Sequence, residues 1–404
     1  MLTAQQRGSG RLDWRERLPD SLDLILKDDA ALTALNVLRT AGTVDRVTGL
    51  ALLRGTPLDQ LQTLAHGIKS ARFDNEVFFN SNLHVNPTNI CTLACRFCAF
   101  RRSVTADTAY ALTVEEYLDR IRPHADLVDE VHSVGGLHPT WSIEHHVDLI
   151  RAVRQEYPHI QMKCLTAVEI RHLSELSDLT IEQILIRLRD AGLTSLPGGG
   201  AEILDDRVRD VICRGKESSD EYLMIHATAH RLDIPTNCTM LFGTVESAEE
   251  RIVHLLRLTE LQVETGGFQC FIPYPYLPDN SRLPEAQLAT GAEILRMVAV
   301  SRIILDSIPH IKAYRMNIGD RMAQLALTSG ADDIDGTVGH EEIMHEAGSE
   351  TSVSDDLDAV ARLIVGAGAV PVRRNTDYSE FKTHRTQRPF RGQDSHRLPV
   401  VESA

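Results

Sequence analysis

The sequence predicts an α/β protein centred on a (β/α) TIM-type barrel, with a helical segment before it and a polar tail after it. Three observations carry this. Strand-like and helix-like stretches alternate from residue 76 to residue 313, the order expected of βαβ units in a parallel sheet. Glycine-rich turns stand directly after two of those strands, where a barrel builds its site. The 404 residues are also enough to bury one core of that size.

The first stretch reads as helical, because Ala30–Leu38 and Leu58–Ala65 space their apolar residues at helical intervals. Strand signals follow at Glu76–Phe79 and Leu83–Val85. Helix Val114–Ile121 then leads to strand Val128–Val134, and helix His145–Glu156 to strand Gln161–Thr166. Helix Ile181–Ala191 precedes strand Leu193–Leu196, and helix Ser219–Arg231 precedes strand Asn237–Phe242. Helix Ala248–Glu264 leads into strand Phe268–Phe271, and helix Leu288–Ile308 into a short apolar segment at Ile311–Ala313. Right-handed units in this number close a barrel with its site at the strand C-termini. The expected division is a helical segment over 1–75, a barrel with C-terminal elements over 76–378, and a solvated tail over 379–404.

Bulk properties narrow the partners. The chain is 43% hydrophobic and 25% charged, as in a globular protein, and its formal charge of −15 argues against nucleic acid or an anionic membrane. No stretch is long and apolar enough to span a bilayer. Met1–Asp29 is polar and has no hydrophobic signal core. Seven cysteines in a chain this long do not suggest a disulfide scaffold.

Chemistry concentrates in Asn86-Pro-Thr-Asn-Ile-Cys91-Thr-Leu-Ala-Cys95-Arg-Phe-Cys98. Thiolates are soft ligands suited to iron–sulfur clusters, which usually take four of them. The spacing here supplies three, with the next cysteine far away at Cys164, so a cubane held by Cys91, Cys95 and Cys98 would leave one iron open. The competing reading is a zinc knuckle with His84 as fourth ligand, although the paired-ligand spacing of structural zinc sites is missing. A cluster needs a reducing compartment, which points to the cytoplasm.

Other candidates lie at strand ends. Gly135 and Gly136, in Val134-Gly-Gly-Leu-His-Pro139, allow close backbone approach to a ligand or simply make a tight turn. His138 in the same loop is the candidate acid–base, since histidine moves a proton near neutral pH; it could equally position a carboxylate or satisfy a turn carbonyl. Glu169, placed at a strand end in Thr166-Ala-Val-Glu, and Glu202, after Leu196-Pro-Gly-Gly-Gly-Ala, are rival candidates for a ribose hydroxyl; Glu202 could instead pair with a substrate cation, and either could simply cap the next helix. His145 and His146 read as packing residues, and Cys164, Cys213, Cys238 and Cys270 as small buried hydrophobes. Gln269–Tyr276 offers an aromatic wall for an aromatic substrate, or a rigid packing loop. The carboxylates of Asp332-Asp-Ile-Asp-Gly-Thr337 lack the ligand alternation of a calcium loop.

The three-cysteine signature, with aromatic Phe97 before the third cysteine, resembles that of radical S-adenosylmethionine (SAM) enzymes. The stretches His84–Asn89, Val134–Pro139, Thr166–Glu169, Ser195–Glu202, Glu264–Gln269 and Asp332–Thr337 resemble one subgroup, the aminofutalosine synthases of menaquinone biosynthesis, over residues 77–378. Related radical enzymes share the signature: the cyclic dehypoxanthinyl futalosine synthases and the builders of the deazaflavin chromophore. Tyr274-Pro-Tyr276 and Gly339-His340 depart from the subgroup's pattern and bear on the substrate more than on the chemistry.

The resemblance implies a radical SAM barrel and a [4Fe–4S] cluster on Cys91, Cys95 and Cys98, with SAM bound at the open iron. It places Gly135 and Gly136 at the SAM methionine and Phe97, Glu169 and Glu202 around the cofactor. An electron from a flavodoxin- or ferredoxin-type donor would split SAM. The deoxyadenosyl radical would then add to the vinyl carbon of the enolpyruvyl ether of meta-hydroxybenzoate, giving aminofutalosine after aryl migration and loss of a carboxylate. Arg282 and Arg315 are candidates to hold the benzoate carboxylate. A related hydrogen-abstracting reaction, or a non-catalytic iron–sulfur or zinc protein, are the alternatives.

Overall fold

Twelve strands appear in the computed structural model, which describes residues 2–353 and 356–386. They are β1 (Glu76–Phe79), β2 (Asn82–His84), β3 (Glu130–Ser133), β4 (Gln161–Cys164), β5 (Leu193–Ser195) and β6 (Thr236–Phe242). There follow β7 (Phe268–Pro275), β8 (His310–Ala313), β9 (Asp333–Ile334), β10 (Thr337–Val338), β11 (Val370–Arg374) and β12 (Phe381–Thr383). Among the described residues no helix is long and apolar enough to cross a membrane.

The pairings form a ring. β2 pairs with β3, β3 with β4 and β4 with β5, all parallel. The step from β5 to β6 is a bridge between Leu196 and Thr236, with Asn237 donating to the Leu196 carbonyl at 3.0 Å. β6 to β7, β7 to β8 and β8 to β9 are again parallel. The seam is double: β9 pairs with β1 and β10 with β2. Counted as the continuous stretches 76–84 and 333–338, the ring has eight strands, the barrel expected from the alternation. Beside β1 the place that β3 takes beside β2 is filled by β11, and β12 pairs antiparallel with β11.

Local sequence explains most of the helices. Thr113, Thr180, Ser218, Ser247 and Thr290 each precede a helix whose third residue is Glu or Gln, so side chain and backbone satisfy each other's free groups. The same device explains a correction. Thr166–Glu169 does not end a strand; β4 stops at Cys164 and a helix runs over Ala167–Ser177, with Glu169 at its third position. The remaining predicted elements agree to within a few residues, while Arg46–Arg54, Asp206–Ile212, Asp320–Leu327 and Leu357–Gly366 are further helices.

The helical segment before residue 76 is not a loose appendage. Helix Leu58–Phe73 packs along helix Gly291–Ile304, and Leu35, Leu61, Leu64 and Ile68 join the same apolar cluster as Val298 and Ile304. Arg7 pairs with Glu76 at 2.6 Å and Arg15 with Asp306 at 2.5 Å. The His310 Nε2 meets the Gly8 carbonyl at 3.2 Å. Within the stretch expected to be tail, Phe381–Thr383 forms β12; residues 387–404 lie outside the described residues.

Beneath this packing, Arg302 and Asp332 are both fully buried and paired, and the second Asp332 oxygen meets His310 Nδ1 at 2.5 Å. Asp332 also accepts from the Ile311 backbone at 2.9 Å. Removing one partner of a buried pair strands the other charge, at a cost of about 3–5 kcal/mol. Asp332→Asn is therefore expected to lower the free energy of unfolding measured in urea by that amount; an unchanged free energy would mean that Arg302 finds another counter-ion.

Candidate active site

The loops that follow the strands enclose a cavity of about 310 Å³ at the C-terminal end of the barrel. Its upper wall comes from the loops and includes Cys91, Cys95, Cys98, Phe97, Gly135, Gly136, Glu169, Glu202 and Lys216. Its floor comes from the strands themselves and is polar: Asn82, His84, Glu130, His132, Lys163 and Lys312 all line it. The barrel thus brings together eight of the nine sequence-derived site residues on one wall.

The cysteine loop is held by backbone hydrogen bonds on both sides. Gly136 N donates to Thr88 O at 2.8 Å and Thr92 N to Leu137 O at 3.0 Å. A Cβ on Gly136 would lie 2.2 Å from the Ile90 carbonyl oxygen, so only glycine lets the two loops lie together. Arg102 Nη1 donates to the carbonyls of Ala99, Phe100 and Arg101. Arg282 caps the carbonyls of Ala94 and Cys95, which gives it a bracing role rather than that of a substrate anchor. Arg315 is spent on Asp320 and the Ser352 carbonyl and does not line the cavity.

Burial pushes the Cys95 thiol up to about 12, with Lys216 acting the other way, and raises Cys98 as well. Among the described residues no three His, Cys, Asp or Glu side chains gather tightly enough to hold one metal ion. A zinc knuckle with His84 would need its four ligands to meet at a single point. A cubane differs, because it presents a separate iron to each thiolate. Three thiols on one cavity wall fit such a group.

Glu169 is fully engaged with backbone. One oxygen accepts from Gly135 N at 3.0 Å, and the other accepts from Thr166 N and Oγ1 at 2.7 Å. Burial pushes its carboxyl up to about 7 against the pull of those bonds. It therefore ties the end of β3 to the end of β4. With both Gly135 and Gly136 amides committed, what the glycine pair can offer a ligand is carbonyl oxygen, an acceptor suited to an ammonium group. Glu202 takes Lys216 Nζ at 2.5 Å, and that ammonium sits 5.5 Å from the Phe97 ring centroid. Burial acts to lower Lys216, but Glu202, Cys95 and Glu217 hold it well above the ordinary range.

His138 stands apart from the other candidates. It does not line the cavity, although its neighbour Leu137 does. Its ring stacks on Trp141 at 4.5 Å, its carbonyl meets His172 Nε2, and burial with His172 nearby lowers its pKa. The side chain packs against Trp141, apart from the residues that line the cavity.

The residues the sequence did not reveal are those of the floor. Glu130 meets Lys163 at 3.1 Å and accepts from Thr376 at 2.8 Å. His84 stacks on His132 at 4.6 Å, and Tyr314 lies nearly parallel to His84 at 6.4 Å. His84, Glu130, His132 and Lys163 sit inside short strands, and only alternation of polar residues with Leu83, Val131 and Met162 hints that they face inward. Tyr274, Pro275 and Tyr276 also line the cavity.

Known proteins give the geometry a context. A family model for the radical SAM superfamily matches residues 85–258, and one for the CofH/MqnC C-terminal region matches residues 265–387. The chain is 40% identical to an aminodeoxyfutalosine synthase of Thermus thermophilus, over 83% of this chain and 91% of the relative. It is 37% identical to an aminodeoxyfutalosine synthase of Streptomyces coelicolor, over 90% and 97%. Among solved structures it is similar to methylornithine synthase, with a TM-score of 0.68 at 17% identity, covering 85% of this chain and 97% of that one. The protein with this closed ring and three-cysteine wall is a radical SAM enzyme, a member of the radical SAM superfamily in the branch that carries the CofH/MqnC C-terminal region.

Proposed function

We propose that the protein is an aminofutalosine synthase, joining the deoxyadenosyl group of SAM to the enolpyruvyl ether of meta-hydroxybenzoate in menaquinone biosynthesis. The observation that carries this reading is a single cavity with three thiols on one wall and a polar, aromatic floor opposite. Relatives bearing that activity, aligned over most of both chains, support it. Cys91, Cys95 and Cys98 would hold a [4Fe–4S] cluster, which when bound supplies the electron that splits SAM into methionine and the deoxyadenosyl radical.

The protein's own share is binding, orientation and exclusion of water. The carbonyls of Gly135 and Gly136 offer acceptors to the SAM ammonium, and Glu169 holds their loop in place. Phe97 packs beside the cysteines, and Glu202 and Lys216 close the wall next to it with a paired charge. Tyr274, Tyr276 and Tyr314 give an aromatic ring faces to pack on. The electron would arrive from a small flavodoxin- or ferredoxin-type protein.

The second reading is a hydrogen-abstracting reaction on a related substrate, favoured by Tyr274-Pro-Tyr276 lining the cavity. The two part in an anaerobic turnover with dithionite, SAM and the enolpyruvyl ether, read by mass spectrometry. The expected result is an adduct of aminofutalosine mass that retains the adenosyl carbons. Free deoxyadenosine without an adduct would favour the second reading.

The glycine wedge gives a separate prediction. Gly136→Ala is expected to fold yet load markedly less iron than wild type on anaerobic reconstitution, because the new methyl drives the Ile90 end of the cysteine loop away. Full iron content with normal turnover would show that the two loops need not lie together.

A further inference from the structure

Three lysines line the cavity, and the neighbours of each decide what it can do. Lys216 is taken by Glu202 at 2.5 Å, on the cysteine wall. Lys163 is taken by Glu130 at 3.1 Å, and the second oxygen of that carboxylate lies 3.7 Å from His132 Nδ1. Burial lowers His132, so Glu130 and Lys163 balance each other.

Lys312 differs. Its ammonium lies 3.0 Å from Asp333 Oδ1, but Asp333 is already neutralised by Arg374, whose Nε and Nη2 grip both oxygens at 2.7 and 3.0 Å. Tyr378 donates to the same carboxylate at 3.0 Å. The other carboxyl nearby, Asp335, accepts from Arg315 N at 2.5 Å and from Thr337 at 3.2 Å, and burial raises its pKa. Lys312 is therefore the floor cation that shares its counter-ion with a stronger partner.

The surroundings are those of an incomplete polar site. His84 and His132 sit close enough to Lys312 for its charge to help keep both of them neutral. The amide oxygens of Asn80 and Asn237, both at least nine-tenths buried and lining the same cavity, have no hydrogen-bond partner. Buried polar groups without partners are rare; these two are acceptors, so they would take a donor and not the carboxylate of a ligand. Tyr314, the residue after β8, lines the same cavity as Lys312, and Tyr274 is edge-on to its ring at 6.0 Å.

We propose that Lys312 holds the ring carboxylate of the aromatic substrate on the barrel floor, with Tyr314 and Tyr274 against the ring; this rests on the functional reading above. The substrate's own connectivity sets its direction. The vinyl carbon must face the cysteine wall, and the enolpyruvyl carboxylate is bonded next to it, so that carboxylate stays at the same end. The meta carboxylate lies across the ring and points to the floor. Its second role is to discriminate, because a lysine left short of a counter-ion in a buried site rejects a ligand that brings none.

The test compares two probes on wild type, Lys312→Met and Lys312→Arg: the enolpyruvyl ether of meta-hydroxybenzoate and the enolpyruvyl ether of phenol. Wild type is expected to prefer the first by about 10- to 100-fold in kcat/KM, the worth of one charge-assisted hydrogen bond. Lys312→Met should lose that preference, mainly through KM, and Lys312→Arg should keep part of it. Lys312→Gln, which can still bond Asp333, serves if methionine disturbs the floor. A preference that survives in both neutral variants, or an equal loss on both ethers in folded protein, overturns the anchor while leaving the reaction intact. No adduct from wild type with the first ether overturns the functional reading, and the anchor falls with it.

Discussion

Closure of the ring at the seam between residues 76–84 and 333–338 is the constraint on which the rest depends. The first and last strands of the ring are far apart in sequence, so this contact is made at the full cost of closing the chain. The seam is correspondingly well fixed. Each carboxylate of Asp332-Asp-Ile-Asp-Gly-Thr337 has a distinct partner: Arg302 and His310 for Asp332, Arg374 and Lys312 for Asp333, and the Arg315 amide for Asp335. Gly336 sits where a Cβ would be 2.0 Å from the Asn80 carbonyl oxygen. A stretch that looks like a metal loop is thus the clasp of the barrel. Its acidity meets side chains brought from three other elements, the helix Gly291–Ile304, β8 and β11.

From that clasp the geometry of the upper wall follows. β2, fixed by β10 on one side and β3 on the other, launches the cysteine loop, and β3 launches the glycine pair beneath it. The two loops then extend the parallel pairing past the strand ends, Gly136 to Thr88 and Thr92 to Leu137. Glu169 adds the third strand to the set by holding Gly135. Thiols carried on backbone that is paired on both sides are pre-positioned, and this matters because a loosely held set would spend binding energy on ordering itself.

How much of this was legible in the sequence depends on the range of the interaction. The barrel was legible because alternation of strand and helix is a local pattern, and the cysteine wall because three thiols at fixed spacing are a local motif. The helix at Ala167–Ser177 was missed although Thr166-x-x-Glu169 is a capping box, because the strand signal just before it was carried through to Glu169. His138 shows the opposite limit. Its loop does line the cavity, and only the direction of one side chain, toward Trp141, takes it out. The floor was not legible, because pairs such as Glu130 with Lys163 and Asp333 with Arg374 join residues on different strands that no spacing rule connects. β11 and β12 were missed for the same reason, since their place is defined only by β1.

The division between wall and floor bears on how one architecture serves several radical reactions. The wall is built from loops whose carbonyls and thiols are tied to one another, so a change there disturbs the cofactor chemistry. The floor is built from side chains on rigid strands, and those can vary one at a time without moving the wall. The two departures from the subgroup's pattern separate on this basis. Tyr274-Pro-Tyr276 lines the cavity and can act on the substrate directly. Gly339 and His340 do not line it; His340 is exposed and faces Glu342 at 3.5 Å. Of the two, only the tyrosine pair stands where it can set which aromatic ring is accepted, and Tyr274 does so from β7, the strand next to the one that carries Lys312.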